Sequence, residues 1–112
     1  MEEKEALITV DEYLYNLKDG ILKICNLIQA GKEQEAFNTI ALVADGMQWV
    51  DEALNATKNY HNNELNLDEM NSFIKELSEG LENEDYILVS DLFNYEIMPI
   101  IERVHSNIKK YI

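Results

Sequence analysis

Glu102 and His105 stand three residues apart in the stretch Glu-Arg-Val-His, near the end of the chain. Helical di-metal proteins use that spacing to bring a carboxylate and an imidazole to one inward ion, because residues three apart share a helix face. With Asp91 as a further oxygen donor, the segment could hold a metal. Such sites need the motif twice and two more glutamates, however, and the only other histidine, His61, lies in an Asn-rich stretch three residues after Lys58. Glu102 and His105 project beside Asp91 and Asn94, so a solvated polar stripe is the expectation, and no metal or other cofactor is expected. A metal- or small-ligand-binding bundle is the alternative. Cys25 is the single cysteine. It cannot form an internal disulfide, has no histidine at catalytic spacing to activate it, and reads as a small buried hydrophobe. The sequence has no Gly-rich phosphate loop, no nucleophile elbow and no Cys/His zinc spacing, so a non-enzymatic protein is expected.

Charge narrows the partners. The 112 residues carry a formal net charge of −13, with 46% hydrophobic residues, enough apolar side chain for one folded domain. Phosphate backbones and anionic lipid both require a basic face, so neither nucleic acid nor membrane is expected as a partner. An acidic mimic of nucleic acid is a further alternative. The N-terminal stretch is acidic where a signal peptide is basic, and no run of 18 apolar residues occurs. A cytoplasmic location is expected.

The elements that would position these residues read as helices. Thr-Val-Asp-Glu, residues 9–12, is a capping-box pattern, which predicts a helix over about 10–30 with residues 1–8 frayed. Its apolar stripe is Val10, Leu14, Leu17, Ile21, Ile24 and Ile28, and Gly31 is the expected stop. A second helix over 33–56 follows on Ala36, Ile40, Val43, Met47, Val50 and Leu54, then a polar loop over 57–66. Asn66 or Asp68 can cap a third helix over 67–81, striped by Met70, Phe73, Ile74, Leu77 and Leu81. Asp85 can cap the last, over 86–110, bent at Pro99, with Tyr86, Val89, Phe93, Ile97, Ile100, Val104 and Tyr111 on its core face. The expected fold is all-α: an antiparallel up-down four-helix bundle in one domain.

Helices two and four each carry a second apolar seam. Leu42, Gly46, Trp49, Ala53 and Ala56 form one, and Leu88, Leu92 and Tyr95 the other. Apolar surface beyond what a monomer hides predicts a protein partner or a homodimer, with Leu42, Trp49, Leu88, Leu92 and Tyr95 as partner-binding residues.

Asp19, Gly20 and Ile21, with the turn Gly-Lys-Glu-Gln-Glu-Ala at 31–36, give residues 17–54 a partial resemblance to the central hairpin of the flagellar export chaperones. That resemblance implies a cytoplasmic helical bundle that binds a segment of a secreted partner along hydrophobic grooves, without cofactor. The second half departs from it and resembles small bacterial helical domains instead.

Overall fold

The computed structural model describes residues 2–112, and no strand occurs among them. Helix α1 spans Glu2–Gln29, longer than the capping box predicts. Thr9 is inside it, its hydroxyl donating to the Glu5 carbonyl at 3.1 Å instead of capping. Two things favour the longer helix: Glu2, Glu3 and Glu5 complement the dipole of its first turn, and Leu7 is wholly buried. Residues 2–8, expected to fray, are therefore helical.

The turn after α1 follows the local code. Gly31 has φ +75°, the Lys32 N–H donates to Leu27 O at 2.9 Å and the Gly31 N–H to Ile28 O at 3.0 Å. This is a Schellman closure, which needs a left-handed residue after the helix. Helix α2 spans Glu33–Ala56. Its fit on α1 is tight: Gly20 faces Val43, and Gly46 lies against the phenol of Tyr13.

The stretch after α2 is more ordered than its composition suggests. A single turn, α3, spans Lys58–His61, and Asn62 and Asn63 then take left-handed φ values of 53° and 58°. His61 is fully buried and clamps the segment. Its Nε2 lies 3.1 Å from Leu54 O, and its Nδ1 accepts the Leu65 N–H at 3.2 Å. That pairing requires the tautomer with the proton on Nε2.

A 3₁₀ turn, Asp68–Met70, leads into α4, Asn71–Glu82. Asp85 caps the next helix as expected, its Oδ1 accepting the Leu88 N–H at 3.2 Å. The final rod then runs as α5, Tyr86–Asp91, a π-helical turn, Leu92–Ile97, and α6, Met98–Ile108, closing in a 3₁₀ turn, Lys109–Tyr111. The π turn is the local answer to Pro99. Proline has no N–H for the Tyr95 carbonyl and its ring crowds that oxygen, so the helix widens just before it, and the Met98 N–H donates to Phe93 O, five residues back.

That extra residue re-phases everything downstream. Beyond the turn the buried positions are Met98, Ile101, His105 and Ile108 together with the expected Ile100 and Val104. His105, expected on a solvated stripe, is thereby turned inward.

Helix α1 is the central element, packing on α2, α5, the π turn and α6. Helix α2 packs extensively on α1 alone, and α4 on α5 and the π turn. The Arg103–Glu69 ion pair, 2.9 Å, joins the rod to the 3₁₀ turn before α4.

Candidate protein-binding groove

Two helices, α2 and α4, face each other across an open concavity. Helix α4 is strongly amphipathic, yet Gly80 is its only buried residue. Phe73, Leu77 and Leu81, expected in the core, are only partly buried against it, and Ile74 is 54% exposed. Across from them α2 presents Ile40, Ala44 and Met47, while Leu67, Met70 and Ile97 also line the space. The result is an apolar groove of about 420 Å³. Its lining includes two carboxylates, Asp51 and Asp68, and no basic side chain.

The five residues expected to bind a partner do not share one surface. Leu42 is 71% exposed and Trp49 41%, and both lie on the other flank of α2, where the Trp49 ring meets Tyr13 edge-on at 5.4 Å between centroids. Leu92 is buried in the π turn, and Leu88 is half-buried over Gly80. Tyr95 is 67% exposed. None of the five lines the groove. The readable signal was the stripe of α4, whose burial needed a second neighbour that the described residues do not supply.

The other polar cluster joins α1 to α6. His105 Nε2 lies 3.0 Å from Asp11 Oδ1 without aligning as a hydrogen bond, and Lys109 Nζ reaches the same carboxylate at 2.7 and 2.9 Å. Tyr15 packs edge-on against His105 at 4.3 Å, and the ammonium groups of Lys18 and Lys109 lie near its ring. Burial, followed by the charge of Lys18, holds the His105 imidazole below its ordinary pKa against the opposing pull of Asp11. Lys109 is shifted upward, chiefly by its hydrogen bond to Asp11. Asp11 is therefore the counter-charge of Lys109, with His105 packed beside the pair, where α1 meets the end of the rod.

Glu102 and His105 both border a shallow hollow of about 240 Å³ over this cluster, but Asp91 is not among its lining residues. Among the described residues no three His, Cys, Asp or Glu side chains converge as metal ligands. Cys25 is half-buried and its thiol points to Ser90 O at 3.7 Å. No described helix is long and apolar enough to cross a membrane.

No curated protein and no solved structure matches the chain. A family model does, over residues 5–107, and the chain belongs to the family described as a domain of unknown function, DUF8042.

Proposed function

We propose that this chain is a non-enzymatic, cytoplasmic protein-binding module, a chaperone or adaptor that receives a helical segment of another protein between α2 and α4. The observation that carries this reading is the groove of about 420 Å³, lined mostly by apolar side chains of α2 and α4 and left open by the described residues. In an up-down antiparallel four-helix bundle each helix touches two neighbours. If α1, α2, α4 and the rod are taken as its four members, α2 has a neighbour in α1 and a half-vacant place on its other side. An incoming amphipathic helix would fill that place with apolar residues at i, i+3, i+4 and i+7, the pattern by which helices dock in grooves.

The same volume falls within the range of about 300–1,000 Å³ typical of small-molecule pockets, so an apolar small ligand is a second reading. The lining runs from Ile40 to Asp51 on α2 and from Asn71 to Leu81 on α4, a length of wall that suits a helix better than a compact ligand.

Capture from native lysate tests the proposal, with Ile74→Asp as control. Ile74 is 54% exposed, so the substitution should alter stability by less than about 0.5 kcal/mol while placing a charge in the groove. A stoichiometric partner that the wild type retains and this variant loses is the expected result. Equal capture by both, with unchanged circular dichroism, would remove the groove from the binding surface.

A further inference from the structure

Resting on the reading above, we infer that the occupant of the groove is a basic amphipathic helix of a partner protein, bound with its N-terminal end against Asp51 and Asp68. The charge of the walls is one-sided. Helix α2 carries Glu33, Glu35, Asp45, Asp51 and Glu52 and no basic residue, and α4 sets Glu76, Glu79 and Glu82 against the single Lys75. Within the lining itself, Asp51 and Asp68 are the charged groups, and neither takes part in a salt bridge among the described residues. A second copy of a chain with net charge −13 would meet like charge with like, so an apolar helix carrying lysine or arginine is the complementary partner.

The two carboxylates also give the groove a direction. Asp51 lies in the last third of α2. His61 joins Leu54 O of α2 to the Leu65 N–H through its two ring nitrogens, at 3.1 and 3.2 Å, so the chain re-emerges beside the end of α2. Asp68 follows three residues later, at the entrance to α4. Both acids therefore mark the end of the groove where α2 finishes and α4 begins. The opposite end, toward Ile40 and Leu81, has an uncharged lining. A helix carries partial positive charge at its N-terminus and partial negative charge at its C-terminus, so the acidic end favours the former, and basic side chains in the first turn add to the attraction. The bound helix thus runs opposite to α2.

Three synthetic helices of about 20 residues with one Leu/Ile stripe test this, each labelled for fluorescence anisotropy against the full chain. One has lysines in its first turn, one has the same lysines in its last turn, and one has glutamates in its first turn. The expected result at low salt is that the first binds about tenfold more tightly than the second and more tightly still than the third. That preference should fall below about twofold in the Asp51→Asn, Asp68→Asn double variant and in roughly 1 M salt, where exposed charges are screened within about 3 Å. Equal binding of all three peptides, each lost in Ile74→Asp, overturns the inference and leaves the groove reading standing. If none binds, both fall. A chain whose mass rises with concentration through contacts that Ile74→Asp abolishes also overturns it, because the occupant is then a second copy.

Discussion

The two flanks of α2 are built from similar apolar residues and have opposite fates. Toward α1, Gly46 lets the phenol of Tyr13 lie against the helix backbone, and the Trp49 ring meets the Tyr13 ring edge-on, so the two helices close on each other. Toward α4, Ile40, Ala44 and Met47 face Phe73, Ile74 and Leu77 across the groove. Apolar periodicity specifies a face but not its neighbour. A face closes when small residues on one helix admit large ones from the next, and it stays open when no helix approaches closely enough.

Substitutions in the closed flank should have the largest effect. Gly46→Leu places a side chain where the Tyr13 phenol lies and should destabilise by about 2–3 kcal/mol, read as a lower denaturation midpoint in urea. Because the nearest atom is the Tyr13 hydroxyl, Gly46→Ala combined with Tyr13→Phe should recover part of the loss that Gly46→Ala causes alone, the ring carbon Cζ at 2.9 Å still having to give way. Alanine is otherwise favoured over glycine inside a helix by about 1 kcal/mol. If Gly46→Ala alone is neutral, the Tyr13 phenol does not pack closely against α2 at Gly46.

Which parts of this were legible in the sequence follows from the range of the forces involved. Gly31 as the stop of α1, the span of α2 and the Asp85 cap are local, and the residues that decide them adjoin the elements they end. The start of α1 misled because Thr9 and Glu12 satisfy a local pattern that burial of Leu7 and an acidic first turn override. The burial of His105 could not be found by projecting residues at a constant 100°, since the π turn before Pro99 inserts a residue into the count. A proline in mid-helix was the available warning. For the groove, the stripe of α4 was visible, but whether it had a partner depended on tertiary packing.

A smaller effect is expected at the flank of α1 that meets α6. The folded pKa of His105 lies below its ordinary value of 6.5, so the folded state binds fewer protons than the unfolded chain between those two values. Stability contributed by the neutral imidazole is then fully present above about pH 6.5 and is lost as pH falls through the folded pKa. The facing charged groups are Asp11, Lys18 and Lys109, and Glu102 borders the same hollow. Urea denaturation between pH 7 and pH 5 should show a decline that weakens in His105→Gln. A decline of equal slope in both proteins would assign it to the carboxylates instead.

The substitutions with the smallest effect on stability separate the two flanks of α2 most clearly. Leu42, 71% exposed on one flank of α2, and Ile74, 54% exposed across the groove on the other side, are both so open that substitution by aspartate should shift stability by less than about 0.5 kcal/mol. Their effects on binding should differ. Leu42→Asp leaves the groove intact and should retain a partner or an apolar helical peptide at wild-type affinity. Ile74→Asp should weaken either by about tenfold or more, because the bound helix would have to desolvate a carboxylate without pairing it. The opposite result would return recognition to the edge formed by Leu42 and Trp49, the surface that residue types alone single out. It would make the open space beside α4 a packing fault and the closed flank of α2, with its exposed rim, the face that meets a partner.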